Sequence, residues 1–276
     1  MAIPFDLELV QPLSDVLDEV NTLGQRPYLA HFSKSGRELY FAGAHHEGAG
    51  SETYALLDRA FARFPIERVV VEGWPREHGD IIPRQLSSDG FECEQDHAMR
   101  LAFARGKTAI GGEPTDREGL RAALDAGFAV EDWLGMWFLI WLPVFRRDGR
   151  EVQRPHPELF ADVMLWQRGA AGVDAGVSFA YADFLSWHER RLGAPFEPAK
   201  VDVNTTRPDS RGALFPQRLA APGNDLRNRF GLARIGEELE KHRRVLAVYG
   251  NGHIACMRRA IEAAMGKPVY QGDLKD

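Results

Sequence analysis

Arg244-Val245-Leu246-Ala247-Val248-Tyr249-Gly250-Asn251-Gly252-His253 is the stretch whose reading decides the fold. An unbroken apolar run that stops at a glycine pair reads as a strand buried on both faces, and the helical pattern Ile254 to Met265 follows it directly. The histidine is thereby delivered to the head of a helix. The same phrase occurs once before, where Glu38-Leu39-Tyr40-Phe41-Ala42-Gly43-Ala44-His45-His46 runs a strand into Gly-x-x-His ahead of a short glycine loop and a second helix.

Working outward, Tyr28 to Phe32 and Glu38 to Ala44 flank Lys34-Ser35-Gly36-Arg37 and predict a hairpin with a polar turn. Ser51 stands ahead of a helical pattern through Tyr54, Leu57, Phe61 and Phe64 that Pro65 closes. Val69-Val70-Val71 then predicts a strand buried on both faces, ending on the charge of Glu72. Lys107 to Glu113 predicts another such strand with the same kind of ending, and the capping box Thr115-Asp116-Arg117-Glu118 starts the next helix. Strand, loop and helix repeated in this way imply an α/β fold, a mostly parallel central sheet flanked by helices on both faces. Ligands of such sheets bind beyond the C-terminal ends of the strands. His46, Glu72, Glu113 and His253 are all expected on that one edge.

The 276 residues are read as a single α/β domain, 1–276, carrying a helical insertion over about 130–192. Trp133 to Phe145 is apolar all round, which fits a core helix, a subunit contact through which the chain could oligomerise, or a wall of an apolar pocket. At thirteen residues, with Gly135 and Pro143 inside it, this run is too short to span a bilayer. Residues 193–225 hold five prolines and little periodicity, so a long loop, a candidate lid, is expected there, with Asp225 capping a helix that runs to about His242.

A net charge of −6 supplies no basic footprint for nucleic acid. Two cysteines, Cys93 and Cys256, make neither a disulfide framework nor a thiolate zinc cluster. The first residues have no basic and apolar signal pattern, so the expectation is a cytoplasmic protein that neither enters a membrane nor binds nucleic acid. The neighbours His78 with Asp80, Asp96 with His97 and His188 with Glu189 read as solvated. Gly-x-Ser-x-Gly, Walker A and His-Glu-x-x-His are all missing from the sequence, which removes serine-hydrolase, P-loop and zincin mechanisms.

Two imidazoles and two carboxylates converging on one edge can hold a divalent cation, which would lower the pKa of its bound water and polarise a carbonyl. They can equally work without one, a histidine–glutamate pair activating water while Arg227 stabilises an oxyanion. Both readings remain open at this point. Each residue also has a plain role: His253 can cap its helix, and Glu72 and Glu113 can neutralise helix N-termini.

Gly43-Ala44-His45-His46 and Gly250-Asn251-Gly252-His253, with Glu72, Glu113 and the pair Arg227-Asn228, resemble the superfamily that joins TraB/PrgY proteins, Tiki metalloproteases, erythromycin esterases and haem-binding ChaN-like lipoproteins. The resemblance covers about residues 38–72, 107–125 and 225–270. It implies an α/β fold and a hydrolase of amide or ester bonds acting on a peptide or small molecule. The Tiki branch implies a metalloprotease whose metal ligands would be His46, His253, Glu72 and Glu113 around Mn or Co, with Zn a further candidate. The erythromycin-esterase branch implies an esterase with a similar His/Glu set and no metal. The ChaN-like and TraB-like branches imply haem or peptide binding without catalysis. His46, His253, Glu72, Glu113 and Arg227 take the catalytic positions, with His45, Asn228 and Asn251 as candidate support. The chain departs from the family in lacking the export signal and anchor of the Tiki and ChaN-like members, and no family motif falls between about Trp133 and Asn224.

Overall fold

Tyr28–Lys34 (β1) and Arg37–Ala44 (β2) pair antiparallel in a register that sets Lys34 opposite Arg37. The two residues between them, Ser35 at φ 52° and Gly36 at φ 75°, make the left-handed turn that matches the twist of a two-residue hairpin. The computed structural model describes residues 4–23, 26–45, 51–75, 79–83, 86, 93–174 and 176–275. His46 and His78 therefore lie outside the described residues.

Five further strands follow: Arg68–Pro75 (β3), Asp80–Ile81 (β4), Thr108–Glu113 (β5), Arg244–Gly250 (β6) and Tyr270–Gly272 (β7). They join the hairpin in one mixed sheet of order β4-β5-β3-β6-β2-β1-β7. The four central strands β5, β3, β6 and β2 are parallel, and the antiparallel pairings are at the two edges. β4 and β7, two and three residues long, have no periodicity to read and form because a partner strand is already in place.

Alternation along the strands sorts the core into two layers. Phe41, Val70, Ile110, Ala247 and Tyr249 pack with Leu232, Ile235 and Leu239 of Phe215–Lys241 (α9) and with Ile254, Met257 and Ile261 of Asn251–Met265 (α10). Tyr40, Ala42, Val69, Val71 and Val248 pack with Leu57 and Ala60 of Glu52–Arg63 (α2) and Ala98 and Met99 of Glu94–Phe103 (α3). Each fully buried leucine or phenylalanine contributes roughly 1.5–3 kcal/mol, which is why the central strands read as continuous apolar runs. A short helix, Leu17–Leu23 (α1), precedes the hairpin. Ser51 takes the N-cap position of α2 without making a side-chain capping bond.

Contacts divide the chain into two compact units, one of residues 1–114 with 227–276 and one of 115–226. The first contains the sheet. The second is helical: Asp116–Asp125 (α4), Val130–Arg147 (α5), Arg150–Gln153 (α6), His156–Ala171 (α7), Tyr181–Leu192 (α8) and the first turns of α9. The capping box that starts α4 is present, Thr115 N–H donating to Glu118 Oε2 at 2.8 Å and Glu118 N–H to Thr115 Oγ1 at 3.2 Å.

In the helical unit Trp133, Leu134, Phe138, Leu142 and Phe145 are buried with Phe160, Phe184 and Trp187, so most of the apolar run at Trp133–Phe145 is core. Asp132 is buried beside it and fully used: it accepts from the Ala129 N–H at 2.9 Å, the Trp187 indole at 2.8 Å and the Arg191 guanidinium at 2.9 Å. The stretch 193–225 is more regular than expected. Pro198–Lys200 is a 3-10 turn, and α9 begins at Phe215, so Asp225 sits inside that helix rather than capping it. Burial of Leu219, Ala220 and Ala221 outweighs the penalty of Pro222 within the helix. No helix among the described residues is long and apolar enough to cross a membrane.

Candidate active site

β6 hands over to α10 without a loop. Gly250, extended at φ −56° and ψ 148°, is the N-cap, and His253 is the third residue of the helix, in its first turn and buried. β2 lies beside β6 with Ala44 level with Gly250, so the two strands that carry the Gly-x-x-His motifs end side by side. The first glycine of the earlier segment has a steric reason. A Cβ on Gly43 would stand 2.1 Å from the Asn251 side-chain oxygen, so residue 43 must be glycine while Asn251 occupies that place.

Glu72 near the end of β3 and Glu113 at the end of β5 are each only 6% exposed. The β3–β5 register shifts between Val71 and Pro75, an irregularity of the sort that re-aims side chains at sheet rims. Between the two carboxylates lies Arg227 of α9. Its Nε donates to Glu113 Oε2 at 2.5 Å, and its Nη2 donates to Glu72 Oε1 at 2.6 Å and to Glu113 Oε1 at 3.2 Å. Glu72 Oε2 accepts from the Gly250 N–H at 2.7 Å, and Glu72 Oε1 also lies 3.1 Å from His253 Nε2. The other ring nitrogen, Nδ1, is 2.6 Å from Asn228 Oδ1. The ring is thus held from both sides, by a Glu72 carboxylate oxygen at one nitrogen and by the Asn228 side-chain amide at the other.

All four carboxylate oxygens are engaged by donors. Desolvation works against the charge of Arg227, but the carboxylates of Glu113 and Glu72 outweigh it and raise the guanidinium pKa. The side chain is nonetheless 37% exposed, and among the described residues no partner falls to Nη1. The cluster is therefore closed toward the protein and open at one guanidinium edge.

Tyr249 lies just ahead of the second Gly-x-x-His and belongs to no motif of its own. Its hydroxyl donates to the Gly112 carbonyl at 3.0 Å, and its ring lies 5.8 Å from that of His253. Burial, then the charges of Glu113 and Glu72, push the phenol well above its ordinary pKa, so it stays a donor. The signal was present: Val245, Ala247 and Tyr249 alternate onto the face that α9 and α10 cover. Gly112 is matched to it, since a Cβ there would fall 1.7 Å from the Tyr249 hydroxyl.

Glu72, Glu113, Arg227 and His253 are thus brought together, with Asn228 in support. Asn251 turns toward β2 and donates to the Arg26 carbonyl at 3.4 Å, apart from the cluster. His45 is tied through its backbone, its N–H and C=O each 3.1 Å from Thr53 Oγ1. Two of the acids and histidines read as solvated are buried instead. Asp96 lies in the first turn of α3, and His188 packs beside Phe184 and Phe196 with Nδ1 3.0 Å from the Ala194 carbonyl. Helix packing, invisible in their sequence spacing, removes both from water.

Among the described residues no three His, Cys, Asp or Glu side chains are grouped to hold a metal ion. A guanidinium lies between the two acids and each of their carboxylate oxygens has a donor, while His46, the other histidine of the expected metal set, lies outside the described residues. Comparison of the chain with protein-family models, curated proteins and solved structures finds no match.

Proposed function

We propose that this strand edge is the active site of a hydrolase of ester or amide bonds that works through Arg227, Glu72 and His253. One observation carries the reading: a guanidinium is pinned on one side by two buried carboxylates and is open to solvent on the other. Burying so many ionisable groups opposes folding unless every charge is matched, and perturbed, mutually paired ionisable groups concentrate at functional sites. The open edge of Arg227 faces a substrate carbonyl and stabilises the oxyanion that forms on it. Glu72 and His253 share one hydrogen bond along which a proton can move, and this pair takes the proton from the attacking water and returns it to the leaving group. Asn228 holds the imidazole in the plane this requires. Glu113 keeps Arg227 in place. The resemblance of the two Gly-x-x-His segments to the erythromycin-esterase branch supports the same reading.

The test is hydrolysis of a panel of aryl esters and short peptides by the purified protein and by Glu72→Gln, His253→Asn and Arg227→Met. Activity that drops by about 10²–10⁴-fold in the first two supports the proposal; no turnover by the wild type, or variants as fast as the wild type, defeats it. Elemental analysis belongs in the same experiment. Stoichiometric Mn, Co or Zn, removed by a chelator together with the activity, would replace this reading with a metal site built on His46, His253, Glu72 and Glu113.

A further inference from the structure

Two strands and two helices meet around one hydroxyl group next to the candidate site. Tyr249 is fully buried on β6, and its hydroxyl donates at 3.0 Å to the carbonyl of Gly112, the residue directly before Glu113. Each helix brings to it the position one turn beyond a site residue. Gly231 of α9 is four residues after Arg227 and three after Asn228, so all three share one helix face. A Cβ on Gly231 would stand 2.8 Å from the Tyr249 hydroxyl and 3.2 Å from Met257 Cε. Met257 in turn is four residues after His253 on α10, and the Tyr249 ring lies 5.8 Å from the His253 imidazole. Such a clash is relieved cheaply only where the struck atom can swing away. Met257 ends in a flexible thioether; the Tyr249 hydroxyl is pinned to Gly112 and shut away from solvent. On the strand side there is no room either, since a Cβ on Gly112 would overlap the same oxygen. The hydroxyl therefore fills the gap between β5 and α9, with a glycine facing it from each.

We infer that Tyr249 is a positioning residue of the site: its hydroxyl sets how closely α9 approaches β5, and so fixes Arg227 against Glu113 and Asn228 against His253. The inference rests on the hydrolase reading for its effect on rate, and on geometry alone for its effect on the imidazole. Arg227 Nε lies 2.5 Å from Glu113 Oε2, and the Asn228 side-chain amide lies 2.6 Å from His253 Nδ1. Both contacts come from neighbouring residues of one helix, so a displacement of α9 alters them together. The oxyanion contact of Arg227 forms only in the transition state, and its misplacement lowers kcat more than it raises KM.

The test compares Gly231→Ala, Tyr249→Phe and the double variant in the full chain, with the aryl-ester and peptide panel. Gly231→Ala should lower kcat by about 10–100-fold with KM nearly unchanged, because its Cβ drives α9 off the hydroxyl. Adding Tyr249→Phe removes the struck atom, so the double variant should be faster than Gly231→Ala alone. A merely structural tyrosine would lower the melting temperature and leave kcat per folded molecule as it was. The imidazole nitrogen NMR shifts of His253, assigned by their loss in His253→Asn, give a readout that needs no turnover. They should move in Gly231→Ala and return toward the wild type in the double variant. A wild type that hydrolyses nothing thus defeats the hydrolase reading, and the shifts still decide the inference. If Gly231→Ala does not fold, Tyr249→Phe decides alone, with kcat about 3–10-fold lower and displaced His253 shifts expected. Wild-type kcat and His253 shifts in the single variants, or a double variant no closer to the wild type than Gly231→Ala, overturn the inference.

Discussion

Arg68 and Arg227 each bind two acids of the sheet unit, at opposite ends of the parallel strands, and they differ in one respect. Arg68 opens β3 and is engaged at all three nitrogens: Nε donates to Glu238 at 2.7 Å, Nη1 to Thr108 Oγ1 at 2.5 Å and Nη2 to Asp80, with only 5% of the side chain exposed. Arg227 uses Nε and Nη2 and keeps one edge open. The same helix serves both ends, because Glu238 and Arg227 are eleven residues apart on α9, about three turns. A guanidinium engaged at all three nitrogens and shut away from solvent can only hold elements together, tying β3, β4, β5 and α9. One with a free edge is also available to a ligand, so the difference separates a clamp from a candidate site even though the residue types are alike.

The comparison breaks most directly at Glu238. Glu238→Ala leaves Arg68 buried without its main counter-charge and should cost about 3–5 kcal/mol in chemical denaturation, while the hydrolysis rate per folded molecule stays unchanged. A loss of activity with full stability would mean that the two ends are not functionally distinct. At the other end the expectation inverts. His253→Ala should lower hydrolysis by about 10²–10³-fold, equivalent to about 3–4 kcal/mol of barrier, with a smaller effect on the denaturation midpoint.

Gly112→Ala probes the layer between the two ends. Its new Cβ would strike the Tyr249 hydroxyl, so a destabilisation of about 1–3 kcal/mol is expected. Thermal unfolding of Gly112→Ala with and without Tyr249→Phe checks this. If the hydroxyl is the obstacle, the double variant recovers part of the loss.

The smallest effect belongs to Asp80. The Arg68 hydrogen bond, against the effect of burial, holds its carboxyl below the usual aspartate range. A lowered native pKa means that the stabilisation is complete above the unfolded value, near pH 4, and fades as pH falls through the native one. Because Asp80 is 58% exposed, the pair is worth less than about 1 kcal/mol. Denaturation midpoints of wild type and Asp80→Asn should differ slightly at pH 6, and the gap should narrow as the pH falls below about 4. A gap that widens toward pH 3 would contradict the sign.

Much of the sheet was legible because its central strands are buried on both faces. Val69-Val70-Val71 and Val245 to Val248 have no polar alternation to confuse them with anything else. The capping box at Thr115 is local chemistry and was legible for the same kind of reason, as its donors and acceptors lie three residues apart. The start of α9 was not legible, since Pro216 and Pro222 carry a local signal for loop, and what overrides it is burial of Leu219 to Ala221 against residues distant in the chain. Asp96 and His188 were misjudged because burial is not encoded in a neighbour's charge.

For the candidate site the division is sharper. Strand periodicity alone puts Glu72, Glu113 and His253 at one edge of the sheet, since a parallel sheet has only one C-terminal edge to offer. Sequence could also nominate Arg227, but not its place between the two acids. That place depends on α9 meeting residues 155 and 114 positions away at hydrogen-bond distance. A geometry of a few tenths of an ångström is decided by how the helix packs on the sheet. Residue type and spacing determine which groups reach the edge; only the packed structure determines that one guanidinium bridges both carboxylates and still keeps an open side.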